Sequence, residues 1–281
     1  RAILTDSGGF QIFSLSGLRK ITEEGVVFRS HLDGAEHKLT PESALDIQTA
    51  LGSDIRMVLD ECTEYPATHE HARVSMERTA RWAERGLAHC RTGVFPIVQG
   101  SIYADLRREC AQRLVELDAD GYALGGLSVG EPRTMSLEMV EATEDLLPRD
   151  RPRYCMGVGM LEELGEYVAR GVDLMDCVLP TRNARNGYLF TRQGRIIIKH
   201  RKYRDDPRPI DEKCLCPTCA QYCRSYLRHL FLSGEILFST LATGHNVWTY
   251  LDRMRRIREA IVFGNLPNLL HSFSSQKVDE D

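Results

Sequence analysis

The 281-residue chain has no apolar run approaching the roughly 20 residues that a bilayer-spanning helix needs. Arg1 to Phe10 lack the charged-then-apolar layout of a secretion signal, so a cytoplasmic location is the expectation. Positive charge is not in excess either. The 36 Lys and Arg stand against 40 Asp and Glu, a net charge of −4, which argues against holding nucleic acid by bulk charge and leaves only a local patch open. Low-complexity and collagen-like repetition are absent, and 42% hydrophobic with 27% charged residues is a globular profile. A starting Met is also missing. Arg1 leads directly into Ala2-Ile3-Leu4, which reads as a strand already under way, so an N-terminal segment is expected to be lacking.

Cysteine is present in an odd number, nine, and its spacing suits a metal better than a disulfide framework. Cys214, Cys216 and Cys219 place three thiolate donors within six residues, and His245 follows after a 25-residue excursion as a fourth donor. Cys223 competes for that fourth place, with His245 favoured. Either completes a closed zinc site, which folds an appendage and leaves no open position for catalysis.

Before the cysteines, short β-rich runs alternate with helical periodicity, the mark of a parallel sheet covered by helices. Strands are predicted at Ala2 to Thr5, Ile55 to Leu59, Val94 to Val98, Tyr122 to Leu124, Arg153 to Met156 and Val172 to Met175. Helices are predicted at Pro41 to Leu51, Glu70 to His89, Ala104 to Leu117, Ser136 to Leu147 and Leu161 to Arg170. Two segments break the rhythm: Val26 to Leu39 reads as a hairpin about Asp33-Gly34, and Tyr188 to His200 as one about Gln193-Gly194. A helical stretch from Gln221 to Leu232 follows the cysteine cluster, and Ser272 to Asp281 reads as a frayed tail. The expected architecture is α/β, a (β/α)8 TIM-type barrel lacking its N-terminal part, with an inserted zinc-binding subdomain. The expected division is a barrel body over 1–200, a zinc subdomain over 201–250, and a C-terminal helix and tail over 251–281.

The residues that follow the strands are more telling. Asp6, Asp60, Gln99, Gly125-Gly126, Met156-Gly157 and Asp176 come in turn after the six runs, and in such a barrel these positions surround one mouth. Any one of them alone reads as an ordinary capping or loop residue. Together, Asp6, Asp60 and Asp176 offer carboxylates for nucleophilic attack on a sugar anomeric carbon and for proton transfer to a leaving group. Asp173 and Asp176 fall on opposite faces of their strand, so at most one points inward. Between Arg182 and Lys213, ten Lys and Arg against four acids give +6, leaving −10 for the other 249 residues. That concentration, with Tyr188 and Phe190 interleaved, suggests a phosphate-facing surface.

Six strings carry a family resemblance. They are Leu4-Thr5-Asp6-Ser7-Gly8-Gly9-Phe10-Gln11, Asp60-Glu61-Cys62, Val98-Gln99-Gly100, Gly125 to Glu131, Asp176 to Gly187, and Cys214 to Cys219 with His245. Collinear over nearly the whole chain, they resemble bacterial tRNA-guanine transglycosylase, of the queuine tRNA-ribosyltransferase family. The resemblance implies exchange of guanine at the wobble position of tRNAs with a GUN anticodon for a 7-deazaguanine, in queuosine biosynthesis. It further implies structural Zn2+, a tRNA anticodon loop as partner, a U-G-U target and a homodimer.

By this likeness Asp176 would attack ribose C1′, and Asp6 would be the general acid/base. Asp60, Gln99 and Ser7 would bind the base, with the Gly126 N–H at its carbonyl oxygen and the Leu127 C=O near its 7-substituent. Phe10 and Met156 would sandwich the ring, and Glu131 would support the Gly126-Leu127 peptide from behind. Arg182 and Arg185 would hold the anticodon loop, and Cys214, Cys216, Cys219 and His245 would bind zinc. Val129 narrows the pocket where eukaryotic relatives that take queuine carry glycine, which implies 7-aminomethyl-7-deazaguanine as the incoming base. Members of the family begin well before the segment matching Arg1. A noncatalytic or truncated tRNA-binding homologue is therefore the alternative.

Overall fold

A computed structural model describes residues 2–14, 17, 19–30 and 32–274. The chain divides into two compact units, one comprising residues 1–158 with 170–176 and the other 159–169 with 177–281. Among the described residues no helix is long and apolar enough to cross a membrane.

The first unit contains β1 (Leu4–Thr5), α1 (Gly9–Ser14), β2 (Arg19–Ile21), β3 (Val26–Arg29), β4 (Glu36–Leu39), α2 (Pro41–Ala50), β5 (Ile55–Met57) and α3 (His69–His89). It continues with β6 (Val94–Phe95), β7 (Ile97–Val98), α4 (Ala104–Val115), β8 (Tyr122–Leu124), α5 (Arg133–Glu144), β9 (Arg153–Cys155) and β10 (Leu174–Met175). Strands β1-β5-β6 form one parallel sheet and β7-β8-β9-β10 a second. Pro96 separates the two within what sequence alternation reads as a single strand. It has no N–H to give a ladder, yet its carbonyl still accepts from Ala123 N at 2.9 Å.

Strands covered on both faces tolerate no polar alternation, and Ile97, Val98, Tyr122, Ala123, Leu124 and Cys155 are all buried. The covering helices start where side chains cap them. Thr40 and Ser43 form a reciprocal capping box ahead of Pro41, and Thr68 accepts from His71 N to open α3. The expected hairpin over Val26 to Leu39 is β3–β4, and β2 extends it to an antiparallel three-stranded sheet that alternation did not single out.

The second unit contains α6 (Leu164–Ala169), α7 (Leu179–Arg185), β11 (Tyr188–Thr191), β12 (Gly194–Ile197), α8 (Pro217–Gln221), α9 (Arg224–Leu232), α10 (Ile236–Val262) and α11 (Leu266–Ser274). The hairpin turns at Arg192-Gln193, one residue before the expected centre. The helix expected over Gln221 to Leu232 is α9, which starts three residues later; Tyr222-Cys223 is extended and separates it from α8, which ends at Gln221. Of the expected tail, 272–274 end α11, and 275–281 lie outside the described residues. Asn246 of α10 is fully buried and fastens this unit. Its Oδ1 accepts from Phe190 N at 3.1 Å, while its Nδ2 donates to Pro180 O and Tyr188 O, each at 3.0 Å.

Candidate active site

In the first unit the residues that follow the parallel strands come together. Asp6 follows β1, its Oδ1 accepting from Ser7 N at 2.8 Å. Its side chain remains accessible, yet desolvation by surrounding protein raises the carboxyl above its ordinary value, and the charge of Asp176 raises it further. Asp60 follows β5 and is buried. Desolvation pushes its carboxyl up to about 7, against a hydrogen bond from Gln99 and with the Asp6 charge adding to the rise. Gln99 Nε2 donates to Asp60 Oδ2 at 2.6 Å, and Gln99 Oε1 has no partner among the described residues. A buried amide with one end satisfied and the other open is set to accept from a bound molecule.

Gly9 shows how closely α1 sits on Asp60. A Cβ there would come within 2.5 Å of Asp60 Oδ1, so only glycine fits. Ser7 is buried, and its Oγ accepts from Gly9 N at 3.2 Å. Phe10, one residue on, exposes 53% of its surface, an aromatic ring at the start of α1.

Asp176 follows β10. Its Oδ1 accepts from Tyr154 Oη at 2.6 Å and from Gly157 N at 2.8 Å, so one carboxylate oxygen is held by two donors. Met156 packs against a buried cluster that includes Tyr154, Phe95 and Ile97. Asp173 does other work: its Oδ2 accepts from Arg153 N at 2.9 Å, and its own N–H donates to Arg153 O, tying the start of β10 to β9.

The glycine-dense stretch after β8 adopts an unusual backbone. Gly126 and Ser128 both have positive φ, 63° and 61°, on either side of the buried Leu127. Glu131 Oε1 accepts from Ser128 N and Ser136 Oγ, and its Oε2 from Val129 N at 2.9 Å. Burial alone would raise the Glu131 carboxyl, but these bonds hold it below its usual value. The peptide it supports is Leu127-Ser128, one residue beyond the expected one. A planar trans peptide directs its C=O opposite to its N–H, so the Leu127 carbonyl points away from Glu131.

The second unit gathers the metal donors. One ligand atom from each of Cys214, Cys216, Cys219 and His245 lies within 4.8 Å of the others. The His245 Nδ1 to Sγ distances are 3.7, 3.4 and 3.4 Å. A tetrahedral site with zinc-like bond lengths has edges of about 3.5–3.8 Å, so the spacing fits a four-coordinate ion. His245 Nε2 lies 2.7 Å from Phe190 O, and donation to that carbonyl leaves Nδ1 for the metal. Cys223 is outside this group, its Sγ 3.1 Å from Ser225 Oγ. Arg182 and Arg185 stand exposed, three residues apart, in the last turn of α7.

The family model described as Queuine tRNA-ribosyltransferase matches residues 1–279. The chain belongs to the queuine tRNA-ribosyltransferase family. It is 65% identical to the queuine tRNA-ribosyltransferase of Solibacter usitatus (strain Ellin6076) over 99% of this chain and 76% of that relative. The relative of that name from Thermoanaerobacter sp. (strain X514) is 58% identical over 93% of this chain and 71% of its own. The one from Koribacter versatilis (strain Ellin345) is 53% identical over 94% and 73%.

Two side chains of this queuine tRNA-ribosyltransferase family member were not singled out from sequence. Tyr154 reads as a buried strand aromatic, and only the fold reveals that its hydroxyl meets Asp176. Arg107 is fully buried beneath the glycine stretch. It shares the apolar stripe of α4 with Cys110, Ala111 and Leu114, at the i, i+3, i+4, i+7 spacing, and that placement is the signal that could have marked it.

Proposed function

We propose that the chain exchanges guanine at the wobble position of tRNAs with a GUN anticodon for 7-aminomethyl-7-deazaguanine, acting as a pentosyltransferase in queuosine synthesis. Family membership supports the reaction class. The observation that carries the assignment of residues is the Asp176 carboxylate, with Oδ1 held by Tyr154 and Gly157. Fixing one oxygen aims the other, so the entropy of orientation is spent before the substrate arrives.

Asp176 attacks ribose C1′ as the bond to guanine N9 breaks, giving a carboxylate ester on the intact ribose-phosphate chain. Asp6, whose raised carboxyl retains a proton more readily, delivers it to the departing base. It then accepts a proton from the incoming base, which attacks C1′ and releases Asp176. Asp60 and Gln99 read the base edge, Ser7 supports that floor, and the Gly126 N–H and Leu127 C=O meet the base carbonyl and the 7-substituent. Phe10 and Met156 cover the ring faces and keep water from the ester. Glu131 holds the Leu127 carbonyl in place, and Val129 limits the 7-substituent to one smaller than queuine.

The same reading places a closed (β/α)8 barrel around this mouth, with its body over 1–200, a zinc subdomain over 201–250 and a C-terminal segment over 251–281. Zinc held by Cys214, Cys216, Cys219 and His245 supplies folding stability. Arg182 and Arg185 grip the anticodon loop, and two copies of the chain pair as a homodimer in the cytoplasm.

Incubation with cognate tRNA and guanine, followed by denaturing electrophoresis, tests the reading. A denaturant-resistant protein–RNA adduct is expected from the wild type and from Asp173→Asn, and none from Asp176→Asn. Equal adduct from both variants would reject Asp176 as nucleophile, and a folded, zinc-loaded wild type that forms none would leave a noncatalytic tRNA-binding homologue.

A further inference from the structure

Arg107 is fully buried, and among the described residues no carboxylate pairs with it. Its hydrogen bonds go to main-chain carbonyls: Nε donates to Ser101 O at 2.6 Å, and Nη2 to Gly125 O at 2.9 Å and Gly126 O at 3.3 Å. Nη1 has no partner among the described residues. A cation without an ion-pair partner is expensive to bury, and here its hydrogen bonds to main-chain carbonyls are the direct compensation, with the Glu131 charge acting from farther off.

The carbonyl that takes its shorter Nη2 bond belongs to the Gly125-Gly126 peptide. Because that peptide is planar and trans, directing its C=O at Arg107 directs the Gly126 N–H to the opposite side. Gly126 there lies against Gln99, whose Oε1 would be 2.3 Å from any Cβ added at Gly126. Glu131 does the converse one step on, taking the Ser128 N–H and so turning the Leu127 C=O outward. Behind the strip stand a cation and an anion; in front of it stand a donor and an acceptor. A charged donor on a carbonyl also polarises the whole amide and strengthens its N–H as a donor.

We propose that Arg107 is a positioning and specificity residue: through the Gly125 carbonyl it orients and strengthens the Gly126 N–H that recognises the exocyclic carbonyl of the base. This rests on the base-exchange reading above. The role predicts which ligand atom should feel its loss. Guanine carries the carbonyl, whereas 2-aminopurine keeps the ring and amino group but lacks it.

The test compares wild type, Arg107→Met and Arg107→Lys by incorporation of labelled guanine into cognate tRNA, with 2-aminopurine as competitor and thermal unfolding measured alongside. For Arg107→Met the KM for guanine should rise about tenfold, the effect of one weakened charge-assisted hydrogen bond, while the inhibition constant of 2-aminopurine stays within about twofold. Arg107→Lys, which keeps the charge and can reach one carbonyl, should recover part of the guanine preference even if Arg107→Met does not fold. Equal weakening of both bases, or a lysine variant with no more guanine preference than its loss of stability explains, would overturn the proposal. Wild-type protein that incorporates no guanine would instead reject the base-exchange reading.

Discussion

The carboxylate mouth of the first unit and the thiolate cluster of the second both concentrate groups that repel one another when ionised, and they resolve the conflict in opposite ways. In the cluster, three of four donors come from one six-residue stretch, and their burial suits neutralisation by a cation. In the mouth, Asp6, Asp60 and Asp176 follow three strands spread over 170 residues; desolvation raises the carboxyls of Asp6 and Asp60, and repulsion between neighbouring carboxylates adds to the rise. A structural site removes its charge conflict by binding an ion. On the proposed function the mouth preserves it, since a carboxyl raised above its ordinary value holds a proton more readily for transfer.

The sharpest way to break this contrast is to exchange the outcomes. Asp176→Asn should lower guanine exchange by roughly ten-thousandfold or more while leaving thermal unfolding near that of the wild type. Cys216→Ser, or chelation, should act the other way. It should destabilise the second unit on the order of several kcal/mol, with metal content by atomic absorption falling in parallel. A Cys216→Ser protein that keeps its metal and unfolding temperature would remove the cluster from the comparison.

Tyr154→Phe asks how much of the mouth's reactivity lies in aiming the nucleophile. Deleting that hydroxyl should reduce kcat by about tenfold with the KM for tRNA little changed. An effect on KM alone would place Tyr154 in binding.

The smallest effect concerns Asp60 and is a matter of pH. Its carboxyl sits at about 7 in the fold against an ordinary 3.8, so ionising it disfavours the folded state. The stabilising contribution of the neutral form is fully present below about pH 4 and is lost as pH rises through 7. Asp60→Asn should therefore gain unfolding temperature over the wild type at pH 8 and gain none at pH 4. A pH-independent difference between the two proteins would contradict the raised carboxyl.

Six predicted runs locate the seven parallel strands because the strands are mainly apolar or aromatic, and polar residues gather where they end. Sequence alternation reads Val94 to Val98 as one strand because Pro96 leaves the apolar run intact while interrupting its hydrogen bonding. Helix α1 escapes notice because Gly8-Gly9 signals a turn, and α7 because it is only seven residues long, with Pro180 in its first turn and Gly187 soon after its end. The metal donors are legible since their spacing is mostly local, though the choice between His245 and Cys223 needed three dimensions. The partners of Tyr154 and Arg107 are illegible for a related reason, although the apolar stripe of α4 marks Arg107 as buried. Each acts on a group 18 to 22 residues away, and residue type alone does not say which way a buried tyrosine or arginine points.

His245 and Asn246 are neighbours on α10, and each holds something different: the imidazole joins the thiolate cluster and Phe190, while the amide clasps Pro180 and the start of the β11–β12 hairpin. One dipeptide is thus a linchpin between the four metal donors and α7, the helix that carries Arg182 and Arg185. On the proposed function, metal supply becomes a dial on RNA grip, loosening α7 while the carboxylates of the first unit keep their own hydrogen bonds.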